Sequence, residues 1–213
     1  MKITIINGSQ KPGESNTGII LNELNKLIQN GNDINNYALG VKQFSDEIYN
    51  TISMSDVIIF GFPLYTDSIP SNMLKMLIEL EDFLKKTAAK ETIVYTIINN
   101  GFYEGKQTFI AFEIMQNWCE RSGVQFGGGI GQGAGEMIGA TKNTPINKGP
   151  FNNLGRAVKS LAEKIETKEL FGIKYLSPCF PRFLWRMMAH YAFWLPLAYK
   201  NNLKKSDITK KSI

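Results

Sequence analysis

The stretch Ile6-Asn7-Gly8-Ser9-Gln10-Lys11-Pro12-Gly13-Glu14-Ser15-Asn16-Thr17-Gly18 decides the fold. An apolar run (Ile3, Ile5, Ile6) precedes it and helically spaced residues (Ile19, Ile20, Leu24, Leu27, Ile28) follow. The stretch therefore reads as the turn between a first strand over 2–7 and a first helix over about 16–29. Such a turn gathers backbone N–H groups at the positive end of the helix. Gly8 and Gly13 permit tight turning, Ser9, Ser15 and Thr17 supply hydroxyls, and Lys11 supplies a charge, which together make a pocket for a phosphate. Capping of the helix by Ser15, Asn16 or Thr17 accounts for the same residues without a ligand. The stretch lacks the Gly-Lys-Ser/Thr ending of a Walker A loop and the Gly-x-Gly-x-x-Gly of the dinucleotide fingerprint.

Outward from this turn, strands and helices alternate. A weaker strand over 34–39 and a short helix over 45–52 lead to Asp56-Val-Ile-Ile-Phe-Gly-Phe62, continuous and apolar as a strand buried on both faces should be. The loop 63–70 leaves its carboxyl end, and a helix over 71–86 follows with Met73, Leu74, Leu77, Ile78 and Leu84 on one stripe. A β-branched strand over 92–98, a loop over 99–105, and a helix over 107–121 come next. A fifth strand over 124–130 has the weakest pattern, because of the run Gly127-Gly-Gly-Ile-Gly-Gln-Gly-Ala-Gly135; a helix over 151–166 closes the regular part. The alternation predicts an α/β doubly wound, five-stranded parallel sheet of order 2-1-3-4-5. Ligands of such sheets sit beyond the carboxyl ends of strands 1, 3 and 4, and three polar loops (9–17, 63–68 and 99–105) fall there.

Composition narrows the classes. A chain of 213 residues that is 43% hydrophobic fits one domain over 1–166 with an appendage over 167–213. No long uncharged apolar run stands near the start, so neither a signal peptide nor a leading membrane span is expected, and the expected location is cytoplasmic. Two cysteines, Cys119 and Cys179, and one histidine make a disulfide framework or a Cys/His metal cluster unlikely by count, and both thiols are expected to be buried or partly buried. Residues 1–166 carry 15 Lys+Arg against 17 Asp+Glu, whereas 167–213 carry 9 against 2. The basicity belongs to the tail, so a pI of about 9.1 does not argue for a nucleic-acid-binding body, and no nucleic-acid partner is expected.

With the three loops in hand, the chain resembles the flavodoxin-like NAD(P)H-dependent FMN reductases and quinone reductases over roughly residues 1–166. Gly8-Ser9-x-Lys11 followed by Ser15-Asn16-Thr17 is similar to that family's FMN phosphate loop, with lysine in place of the usual arginine and a slightly longer loop. Lysine meets a phosphate as a point charge but lacks the planar fork. Pro63, Leu64, Tyr65 and Thr66 resemble the loop that lies along the isoalloxazine, and Asn99, Asn100, Gly101 and Phe102 resemble the loop whose amides approach the ring's polar edge. The resemblance implies bound FMN, NADPH or NADH as co-substrate, and hydride transfer to FMN and then to a quinone, nitro compound or flavin. Protein acid–base groups have little to do in that chemistry, so no catalytic residue is expected, and Glu104 and Asp67 read as solvated loop carboxylates. An electron carrier or interaction module of the same fold, and a phosphate-ligand binder without flavin, are the alternatives.

The string Gly129-x-Gly131-x-x-Ala134 formally fits a nicotinamide-type fingerprint, but no helix of normal pattern starts there; a flexible or ligand-flanking loop is the expectation. In the tail, residues 181–196 read as a helix between Pro181 and Pro196 with Arg182, Arg186 and His190 in i, i+4, i+8 register. Docking on the body or a homodimer interface is expected of it, with contact to an anionic membrane surface as the less favoured use.

Overall fold

The computed structural model describes residues 1–11, 13–40, 44–86, 91–141 and 143–210. Six strands, β1 (Lys2–Asn7), β2 (Asp33–Ala38), β3 (Val57–Pro63), β4 (Ile93–Asn99), β5 (Gln125–Gln132) and β6 (Gly172–Leu176), form one sheet of order β2-β1-β3-β4-β5-β6. Every pairing is parallel. The first crossover runs one way from β1 and the later ones run the other way, which opens a crevice at the carboxyl ends of β1 and β3.

The central strands are buried on both faces, and their alternate residues feed two separate cores. Ile3, Ile5, Val57, Ile59, Tyr95 and Ile97 pack under α1 (Asn16–Ile28) and α6 (Asn152–Thr167). On the other face Ile6, Ile58, Phe60, Phe62, Val94 and Ile98 meet α3 (Ser71–Lys86) and α4 (Phe109–Ser122), with α2 (Asp46–Ser53) flanking α3. A period of two along each strand is what sends neighbours to opposite cores.

The sheet departs from expectation in two places. Strand β6 lies in what was expected to be a purely helical extension, so the sheet has six strands where five were expected. Its five residues, Gly-Ile-Lys-Tyr-Leu, are too short and too polar to announce a strand. The first part of the glycine string is not a loop either: only its Gly133 and Ala134 lie in the turn that follows β5, while Gly129 and Gly131 sit inside the strand, paired with β4 on one side and β6 on the other. Their backbones are occupied by the sheet ladder, so they offer no helix N-terminus to a dinucleotide. Close approach explains the glycines, since a Cβ on Gly129 would lie 1.9 Å from the Thr96 carbonyl oxygen and one on Gly131 would lie 2.1 Å from Thr108 Oγ1.

Of the two thiols, Cys119 is buried as expected and burial pushes its pKa up, whereas Cys179 is exposed. Glu81 joins α3 to α4, accepting from Lys85 Nζ at 2.5 Å and Arg121 Nη2 at 3.1 Å. The Lys85 contact, with Arg121 behind it, holds the Glu81 carboxyl below the usual range although burial pulls the other way. A lowered carboxyl contributes stability above its ordinary range and loses it as pH falls through the lowered value. Glu81→Gln should therefore melt earlier than the parent protein at pH 7, and the two melting curves should converge below the carboxylate range; thermal unfolding against pH is the check.

After β6 the chain leaves the sheet as α7 (Arg182–Met188), a π-helical segment (Ala189–Trp194) and α8 (Leu195–Lys200). The helix does not stop at Pro196, as expected, but runs four residues past it. Proline lacks an N–H and its ring presses on the preceding turn; the wider π turn just before it makes the room. Docking on the body is also not what the fold does. The helix meets the body at its first turn, where the Trp185 ring lies 6.1 Å from that of Tyr103 and Arg182 Nη1 lies 3.0 Å from Glu104 Oε1. Of residues 182–200 only Ala198 is buried. No helix among the described residues is long and apolar enough to cross a membrane.

Candidate functional site

The three rim loops meet. Gly8 N–H donates to the Gly61 carbonyl at 2.7 Å, which ties the first loop to the end of β3. Thr17 Oγ1 donates to Asn99 Oδ1 at 2.6 Å in a buried contact, joining the start of α1 to the end of β4. Leu64 N–H donates to the Asn99 carbonyl at 2.9 Å and completes the triangle. Between them lies a cleft of about 240 Å3, lined by Ser9, Lys11, Ser15, Asn16 and Thr17 from the first loop, Pro63, Leu64 and Tyr65 from the second, and Asn99, Asn100 and Gly101 from the third.

The first loop is built from its own side chains. Asn7 is the organiser: its Oδ1 accepts from Ser9 N–H at 3.0 Å and its Nδ2 donates to Ser15 Oγ at 3.3 Å. Ser9 Oγ accepts from Lys11 N–H at 3.3 Å, and Ser15 Oγ caps α1 by accepting from Gly18 N–H at 3.0 Å. The capping expectation is thus met by Ser15. Capping uses one of the orphan donors of the helix, while the N–H groups of Asn16 and Thr17 stand in the first turn, where no intrahelical acceptor exists. Ser9, Ser15 and Thr17 are buried and line the cleft, a setting where charge-assisted hydrogen bonds are strong. Pro12 lies outside the described residues.

The second loop is a two-residue reversal. Tyr65 and Ser68 exchange both backbone hydrogen bonds, at 3.0 and 3.1 Å, and Thr66 and Asp67 between them have φ of 49° and 60°. Two positive φ values in succession define the type I′ turn, which glycine or asparagine normally fills. Thr66, β-branched, is the more strained of the two. The turn sets Tyr65 against the cleft and carries Thr66 away from it, so Thr66 is not among the lining residues. Asp67→Gly is expected to relieve left-handed strain and raise stability by about 1 kcal/mol, or a melting temperature about 2–4 °C higher.

In the third loop, Asn100 is held on all sides but one. Its N–H donates to the Gln132 carbonyl at 3.0 Å, its carbonyl accepts from Gly135 N–H at 2.7 Å, and its Nδ2 donates to the Glu104 carbonyl at 3.2 Å. The remaining atom, Asn100 Oδ1, is buried without a hydrogen-bond partner in a residue that lines the cleft. A buried acceptor left unpaired costs about 1–3 kcal/mol, so it calls for a donor from a ligand or water. Phe102 does not line the cleft; its carbonyl instead accepts from Ala134 N–H, and its ring is exposed.

Two participants had no signal that the sequence reading used. Glu136 lines the cleft from the start of α5 (Glu136–Ala140), a helix of five residues that leaves too short a pattern to detect. Asn7 reads as the last residue of a strand, although Asn just before a Ser-rich loop is itself a turn signal. Glu104, expected to be solvated, is instead half-paired with Arg182.

No protein-family model matches this chain. Nor does any curated protein match it. Among solved structures it is similar to an NADPH-quinone reductase from P. pentosaceus (16% identity, 76% of this chain and 98% of that one, TM-score 0.56). It is also similar to a flavone reductase (14% identity, 81% of this chain and 66% of that one, TM-score 0.54). A third is the protein Smu.1420 from Streptococcus mutans UA159 (14% identity, 77% of this chain and 100% of that one, TM-score 0.53). What the chain shares with these proteins is the flavodoxin-like, doubly wound fold.

Proposed function

We propose that the protein is an FMN-dependent oxidoreductase that takes a hydride from NADPH or NADH and passes reducing equivalents to a small acceptor such as a quinone, a nitro compound or a flavin. The observation that carries this reading is the convergence of eleven of the thirteen residues expected to hold FMN on one cleft at the topological switch point.

The cleft fits the group. The buried hydroxyls of Ser9 and Ser15 and the first-turn amides of α1 suit a phosphate, with Lys11 supplying charge at the mouth, while the Thr17 hydroxyl is spent on Asn99. Pro63, Leu64 and Tyr65 line the cleft with apolar and aromatic groups that suit a ring system, and the orphaned Asn100 Oδ1 offers an acceptor to a ring N–H. Bound flavin supplies hydride acceptance and electron transfer by its own chemistry. The residues' work is to hold the ring, keep one face open and exclude alternative orientations. Where the structural relatives above are named as an NADPH-quinone reductase and a flavone reductase, their names support the same reaction class.

The test is anaerobic. Protein loaded with FMN should lose its visible flavin absorbance on addition of NADPH or NADH and regain it when a quinone is added. Flavin that stays oxidised with both nicotinamides would leave an electron carrier and overturn the reductase reading.

A further inference from the structure

The helix over 182–200 is the largest feature that the cleft does not use. Phe183, Met187, Tyr191 and Trp194 lie at i, i+4, i+8 and i+11, all exposed, and Leu197 and Tyr199 continue the apolar surface. Arg182, Arg186 and His190 form a narrow stripe along the helix, and Lys200, Lys204 and Lys205 gather at its end. Between positions 170 and 206 there is no aspartate or glutamate. Asp207, the next acid, is held by Lys210 at 2.6 Å. An apolar patch of this extent needs a cover.

Charge decides between covers. A second copy laid helix to helix would bring two basic stripes together with no acidic side chain on either helix to meet them. An anionic bilayer surface supplies both what the helix lacks and what it exposes: phosphates for the basic side chains, and an apolar layer for Phe, Met and Trp, with Tyr and Trp suited to the boundary. At 19 residues, about 28 Å long, the helix can lie in the headgroup layer, and it is not long and apolar enough to cross it.

We propose that residues 182–205 are a surface anchor for membranes rich in anionic lipid, lying in the interface with the aromatic and methionine side chains inserted and the basic groups on lipid phosphates. The anchor is fixed to the body beside the cleft. Tyr103, from the loop that follows β4, donates its hydroxyl to the carbonyls of Phe180 and Pro178, and Glu104 of the same loop pairs with Arg182. A seated helix therefore holds the carboxyl-end rim of the sheet near the lipid.

Flotation of the full-length protein, without detergent, tests this with vesicles of phosphatidylcholine alone and of phosphatidylcholine with phosphatidylglycerol. The protein should float with the anionic vesicles, be released by high salt, and stay behind with the neutral ones. Arg186→Gln and Lys205→Gln should each weaken vesicle affinity about fivefold. Phe193→Ser combined with Trp194→Ser should weaken it at least about tenfold, with melting unchanged because both side chains are exposed. Failure to float with anionic vesicles, or equal flotation with neutral ones, overturns the proposal. So does a dimer in buffer that the Phe193→Ser, Trp194→Ser variant dissociates, because a second copy would then be the cover. None of these readouts involves flavin, so their outcome is separate from that of the reductase reading.

Discussion

Gly129→Ala is expected to destabilise the protein by about 3 kcal/mol or more, lowering the melting temperature by about 6–12 °C. The added Cβ would stand 1.9 Å from the Thr96 carbonyl oxygen and 2.8 Å from the Phe112 ring. The first neighbour is backbone, held in the β4–β5 ladder, and cannot rotate away. Relief requires the two strands to separate, which strains the pairing that also carries β6. Gly40→Ala is the matched control, because no atom of the described residues lies within 4 Å of the added carbon. A Gly129→Ala protein that melts with the control would show that β5 does not pass β4 in this register.

The second large effect is on ligand affinity. Ser15→Asp should weaken FMN binding by about a hundredfold or more, since two anions near 4 Å repel by about 4 kcal/mol at an intermediate effective dielectric. The melting temperature of the flavin-free protein should barely change, because aspartate caps a helix as well as serine does and can still accept from Gly18 N–H and Asn7 Nδ2. Ser15→Ala separates the two roles in the other direction: it loses the cap, costing about 1 kcal/mol of stability, while leaving no negative charge in the cradle. Flavin fluorescence titration and thermal unfolding on the three proteins give both numbers. Unchanged FMN affinity in Ser15→Asp would place the phosphate away from α1.

How much of this was legible in the sequence follows from the range of each signal. Strands β1, β3 and β4 are apolar runs ending in polar loops, and a parallel sheet puts all such ends on one rim; that is why Ser9, Tyr65 and Asn100, far apart in the chain, could be assigned to one cleft. Signals that depend on neighbours in space were not readable. The glycines blur the pattern of β5 and hide its last residues until the Thr96 carbonyl and the Phe112 ring are seen against them. Strand β6 is specified by an open edge of β5, not by its own composition. Thr66 shares a loop with three cleft residues, yet a I′ turn, unannounced by glycine, turns it outward. In the tail, two prolines framed a helix correctly at its start and wrongly at its end, because a π-helical segment absorbs Pro196.

The account rests on one ring system gripped by three loops, and stoichiometric flavin uptake tests that most directly. Purified protein mixed with excess FMN and passed through a desalting column should emerge yellow with one FMN per chain, its flavin fluorescence altered from that of the free compound. A colourless protein, with the FMN recovered unchanged in the small-molecule fraction, would contradict it.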